Sequence, residues 1–277
     1  MERPGGLAGK QVFTDPEAAA FEEAENRRQN RDLIDPKKGG GQYPPGGVIP
    51  YNEFWYERGS RVIGSKRTSL VVDPSDGRIP PMTEDGQRRL DARLAAGRNQ
   101  ELGRSRTDSA EDRSLADRCI VGFNAGPPMT PGAYNNHVQI VQTAGYVVLI
   151  SEMVHDARVI SLEDGNPAPG HLRQYHGVSR GHWEGSALVI VTTSFRRETS
   201  FPESTANLRL VERLTRVDAG TLLYEFTVDD PHTWTRPWSV AIPMMKTSGP
   251  IYEYACHEGN YAMFNILSGA RAEERKR

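Results

Sequence analysis

From residue 135 to residue 260 short apolar runs recur between turn signals, and this rhythm restricts the stretch to antiparallel β-structure. Residues 138–142 and 146–150 flank Thr143-Ala144-Gly145, and Asp218-Ala219-Gly220 separates 208–216 from 221–228. Three-residue connections containing glycine are hairpin loops. Further strands are expected at 158–162, 187–193, 238–244 and 251–256. Roughly eight strands joined by short turns suit an antiparallel up-and-down β-barrel, because closure removes exposed edges. A barrel of that size holds its own side chains and one small ligand. An open two-sheet sandwich is the alternative.

The text before the meander is different. Thr14-Asp15-Pro16-Glu17 starts a helix, with a capping side chain, an early proline and acid at the positive helix end. Residues 37–47 are a Gly/Pro-rich linker. An aromatic cluster at 51–56 is expected to dock on the main body, residues 68–73 read as a short strand, and a second helix is expected from Thr83 to about Gly97. The organisation expected is therefore a helical and linker-rich wrapping segment at 1–116, a β-barrel domain at 117–262 and a helix-prone tail at 263–277.

Composition excludes several functions. The net charge of −2 builds no basic field for nucleic acid. No apolar run approaches the roughly 20 residues of a membrane span. There is no Walker loop and no dinucleotide fingerprint. Cys119 and Cys256 belong to no C-x-x-C and are either two buried thiols or one bridge. His155 with Glu152, or His257 with Glu253, matches no strong zinc spacing. Neither cofactor nor metal is expected. No charged-then-apolar leader precedes the first helix, so the chain is periplasmic if a leader has been removed and otherwise cytoplasmic.

Polar residues inside the apolar runs mark candidate chemistry. Strands alternate faces, so Glu152 and Arg158 share one face and His155 the other, unless a bulge between them brings Glu152 and His155 together. The plain alternative is a surface pair of Glu152 with Arg158. Glu212 shares parity with Leu210 and Leu214, as an acid with a raised pKa or as the partner of an arginine. Tyr252 and Tyr254 lead on one parity to Glu258, with His257 on the other. Trp234 and Trp238 sit where two prolines flank a loop and offer flat faces for a barrel mouth.

Three stretches, Gly181-His182-Trp183-Glu184-Gly185, Asp229-Asp230-Pro231-His232-Thr233-Trp234 and Glu253-Tyr254-Ala255-Cys256-His257-Glu258-Gly259-Asn260, resemble a bacterial, largely uncharacterised and usually exported family. The resemblance covers about residues 117–273 and implies a calycin-type (lipocalin-like) β-barrel. It implies no reaction. Two departures stand out: Ser186 follows the Trp-Glu-Gly motif where the family commonly has Asp, and the signal peptide usual in the family is missing.

The expectation is a cofactor-independent acid/base enzyme, a lyase or isomerase, acting on a hydrophobic, aromatic small molecule. His155, Glu152, His257 and Glu212 would carry the chemistry. Arg158, Tyr224, Trp234, Trp238, Tyr252, Tyr254 and Glu258 would hold the ligand. A non-catalytic carrier and a partner-binding structural module are the alternatives, and a homodimer is compatible with either. Converging titratable groups inside the fold would favour an enzyme, an apolar cavity a carrier, and a filled interior with an exposed apolar patch a partner module.

Overall fold

A computed structural model describes all residues except 34–51, 58, 101–106, 123, 163–171, 197–200, 202 and 277. The expected linker at 37–47 lies outside the described residues. Helix α1 (Asp15–Gln29) is closed at its start by the reciprocal Thr14–Glu17 capping box. Strand β1 (Val71–Asp73) and helix α2 (Glu84–Gln100) precede eight strands: β2 (Val138–Gln142), β3 (Tyr146–Ser151), β4 (Ala157–Ser161), β5 (Val178–Glu184), β6 (Ala187–Thr193), β7 (Arg209–Arg216), β8 (Thr221–Asp229) and β9 (Trp238–Met245). Helix α3 (Tyr261–Glu274) follows.

The strands form one nine-stranded sheet in the order β1-β9-β8-β7-β6-β5-β4-β3-β2. Every pairing is antiparallel except that of β4 with β5, a single parallel bridge between Ser161 and Arg180. Strands β1 and β2 are the two edges and do not pair, so the sheet is open. The expected closed barrel is corrected on this point. The strand from the N-terminal segment, β1, pairs β9 instead of letting β9 find β2. The expected strand at 251–256 is also absent; that segment is irregular chain.

Alternation sets the core. Leu210, Glu212 and Leu214 of β7 and Tyr224, Phe226 and Val228 of β8 point to one buried face. Val147 and Leu149 of β3, from the other half of the sheet, join the same core cluster as Trp238 and Val240 of β9. The sheet must therefore curl. A flat sheet would hold β4 and β7 about 14 Å apart, three strand spacings, yet Arg158 of β4 grips Glu212 of β7.

The N-terminal segment is tied to this sheet. Arg3 donates to Thr68, and Met1 carbonyl accepts from Leu70 N–H. Arg89 of α2 donates to Thr233, and an added Cβ at Gly86 would lie 2.5 Å from the Thr233 carbonyl oxygen, so α2 packs directly on that backbone. Pro243 is tolerated in β9 because β1 covers only the start of that strand, leaving no ladder partner that needs the missing N–H. Among the described residues no helix is long and apolar enough to cross a membrane.

Candidate functional site

Glu212 is wholly buried at the centre of the curled face. Arg158 donates to both carboxylate oxygens, at 2.6 and 2.8 Å. Tyr224 Oη donates to Glu212 at 2.7 Å and accepts from Met129 N–H at 3.0 Å. Every strong partner is thus satisfied, as a buried charge pair requires. Burial opposes the charge on Arg158, but Glu212 more than offsets this and holds its pKa above the usual value. Burial, then the Glu212 charge, pushes the Tyr224 phenol well above its ordinary pKa. Of the two sequence readings of Glu212, the arginine partner is the one the structure shows. The alternative pairing of Arg158 with Glu152 is absent.

Next to this network Asp156 and His176 converge on a cavity of about 10 Å³, walled by Met129, Val138, Leu149, Ser151, Arg158 and the Ala125–Gly126 backbone. That is room for about one water. His176 stands in the turn before β5, closed by Gly177 N–H donating to Gln174 carbonyl, with Gly177 at φ +66°. A side chain there would meet Thr193 carbonyl at 2.6 Å, so glycine is required. Asp156 follows the 3-10 turn Met153–His155, and Ser151 N–H donates to its carbonyl, closing the β3–β4 connection. Gly122 N–H donates to Asp156 Oδ2 at 3.3 Å.

His176 Nε2 lies 3.6 Å from Asp156 Oδ2 and has no hydrogen-bond partner. Burial raises the Asp156 pKa above 3.8 against the pull of His176, and it lowers that of His176 below 6.5 against the pull of Asp156, with Arg158 adding to the depression. The two pKa values are driven toward one another. This convergence lowers the cost of moving a proton between them.

The sign of the pH effect follows. Between the lowered value and 6.5 the unfolded chain binds a proton at His176 that the folded chain does not. The stability contributed is complete above 6.5 and is lost as pH falls through the folded value. Asp156 runs the other way: its contribution is complete below 3.8 and is lost as pH rises through its raised folded value. Urea unfolding at about pH 7.5 and about pH 5 is expected to show a smaller acid loss in His176→Gln than in wild type. Identical losses would contradict the geometry.

The structure separates the other sequence candidates. Glu152 and His155 do not share a cavity. Glu152 is buried, accepting from Tyr252 N–H at 2.9 Å and contacting His137 Nδ1 at 2.8 Å. His155 is exposed and donates from Nδ1 to Tyr254 carbonyl at 3.1 Å. The expected bulge between them is a tighter device, a 3-10 turn with Val154 and His155 at positive φ. His257, Glu258 and Tyr252 are exposed. Trp234, Trp238 and Tyr224 are core side chains beside Phe201 and Phe226, so they fill the interior and line no barrel mouth. Tyr254 packs with Cys119, Met153 and Val154.

Cys119 and Cys256 are joined in a disulfide. Around it a surface groove of about 420 Å³ runs between Ala116–Asp117, Tyr254 and the α3 residues Met263 and Ile266. Four residues now prominent, Glu57, His137, Asp156 and His176, were missed as site residues. Of these only Asp156 carries a sequence signal, since it adjoins a turn that interrupts an apolar run. No family model, curated protein or solved structure matches this chain.

Proposed function

We propose that this chain is an acid/base enzyme of the lyase or isomerase type acting on a small molecule, with His176 and Asp156 as the proton-transfer pair and Arg158 as the cation facing developing negative charge. The observation that carries this reading is the convergence of a histidine and a carboxylate, their pKa values driven together by burial, on a cavity beside a permanently charged guanidinium. His176 Nε2 is buried and makes no hydrogen bond, so it is available to a group that enters the cavity. Arg158 donates two N–H groups to Glu212 and also lines the cavity, where its guanidinium would face an enolate or phenolate oxygen.

The cavity volume of about 10 Å³ sets a condition. An aromatic substrate can present only its reacting end there, and the Ala125–Met129 wall must shift to admit it. The groove of about 420 Å³ supports the carrier reading in its place, because that volume suits a drug-sized ligand. The disulfide supports an oxidising compartment, in keeping with a periplasmic location. We read the curled, open sheet as a calycin-like arrangement, in line with the motif resemblance.

The test is proton exchange. A panel of small aryl ketones and phenolic compounds is incubated with the protein in D2O, and deuterium incorporation is followed by NMR. Exchange on at least one compound is expected, falling by about 10²-fold in His176→Ala with circular dichroism unchanged. Absence of exchange across the panel, together with ligand binding lost on filling the groove by Ala116→Trp, would replace this reading by the carrier.

A further inference from the structure

We infer that Glu57, His137 and Glu152 form a binding site for one zinc-class divalent cation. The inference goes beyond the acid/base reading and does not depend on it. Three separate segments deliver these side chains. Glu57 comes from the N-terminal wrapping chain, His137 from just before β2 and Glu152 from just after β3. His137 Nδ1 lies 2.8 Å from Glu152 Oε2 and 3.7 Å from Glu57 Oε1. The three prospective ligand atoms all lie within 4.8 Å of one another. Ligands of a tetrahedral zinc, at bonds of about 2.0–2.1 Å, stand about 3.3 Å apart. The observed separations bracket that value. Glu57, the most exposed of the three, is the one free to close the set.

The arrangement has further marks of a metal centre. The second oxygen of each carboxylate is already held by a backbone N–H. Asn136 donates to Glu57 Oε2 at 3.0 Å and Tyr252 donates to Glu152 Oε1 at 2.9 Å. This leaves one oxygen of each facing the imidazole nitrogen, the orientation that outer partners impose on ligating carboxylates. Charge points the same way. Two carboxylates converge on one Nδ1, which carries at most one proton and cannot neutralise both. Glu152 is 3% exposed, so water does little to screen it. A divalent ion in place of that proton compensates both.

The ligand chemistry selects the class. An imidazole nitrogen with carboxylate oxygens suits zinc, whereas calcium and magnesium take oxygen alone. His137 and Glu57 side chains are 36% and 39% exposed, so a fourth position opens outward. Three protein ligands and one open position are the composition of zinc sites that bind water or a substrate group. The ion would also pin residue 57 to the sheet at the point where Glu57 N–H donates to Ala133 carbonyl.

The test uses full-length, tag-free protein stripped with a chelator and titrated with zinc chloride by calorimetry. One ion per chain is expected. Cobalt chloride is expected to give visible d–d absorption of a four- or five-coordinate nitrogen/oxygen site. Glu57→Gln, at the surface and tolerant of folding, is expected to weaken zinc by more than about tenfold. Glu152→Gln and His137→Ala are expected to abolish binding. Since Glu152 is buried and its variant is at risk of misfolding, the Glu57→Gln comparison decides. Zinc binding unchanged in Glu57→Gln, no binding at one equivalent, or calcium bound in preference to zinc would each overturn the site.

Discussion

Replacing Arg158 by methionine is expected to cost about 3–5 kcal/mol of folding stability, because it leaves the Glu212 carboxylate buried without a counter-charge. The geometry makes this a severe case. Glu212 is wholly buried, the arginine reaches it across two intervening strands, and among the described residues no other ion pair to Glu212 is seen. Tyr224 still donates one hydrogen bond, but a single neutral donor does not compensate a full charge. The same substitution also releases the clamp that holds β4 over β7, next to the weakest junction of the sheet, where β4 meets β5 through one bridge. Urea denaturation at neutral pH measures the loss. Arg158→Met with Glu212→Leu removes both charges and is expected to recover most of the stability, since a matched apolar pair is often neutral or better. A loss below about 1 kcal/mol in the single variant would mean that water reaches Glu212.

How far such features were legible follows from particular residues. Parity exposed Glu212, because a carboxylate between Leu210 and Leu214 must face the core. Its partner was hidden, since Arg158 is 54 residues away and meets it only through the curl of the sheet. Turn chemistry located the β2–β3 and β7–β8 hairpins because those loops are local. Closure was not legible: short turns tell which neighbours pair, not whether the first and last strands meet. Strand β5 was missed because Gly181-His182-Trp183-Glu184 breaks the apolar alternation. Gly181 is there because Ile160 and Leu188 leave no room, an added Cβ meeting Ile160 Cγ2 at 2.9 Å. Residues 251–256 show the opposite error. Tyr252, Tyr254 and Cys256 alternate, but alternation reports one-sided burial, and no neighbouring strand is there to pair. His176 was overlooked since a lone histidine in a turn has no pattern until Asp156 is brought beside it.

Reducing the Cys119–Cys256 bridge is expected to free the chain that follows β9, cutting its resistance to local opening by about 2–5 kcal/mol. The cysteines are 137 residues apart, and loops that long give the larger entropic contributions. The segment from Ile251 to Asn260 has no ladder to fall back on. It is held by the disulfide, by Tyr252 N–H on Glu152, by His155 on Tyr254 carbonyl and by Asn260 on Cys119 Sγ. Helix α3 adds little, because none of its residues is buried. The hydrogen bonds keep this segment in place only while the bridge keeps their partners near, so breaking the bridge weakens all of them at once. Protease cleavage between residues 246 and 276 is expected to accelerate by roughly 10²–10³-fold in reductant, with cleavage inside β6 to β8 little changed. Cys256→Ser is expected to reproduce the effect without reductant. Thiol titration of unfolded, unreduced protein is expected to find no free cysteine. Two free thiols, or equal cleavage rates in both redox states, would show that the C-terminal chain is anchored by its hydrogen bonds alone.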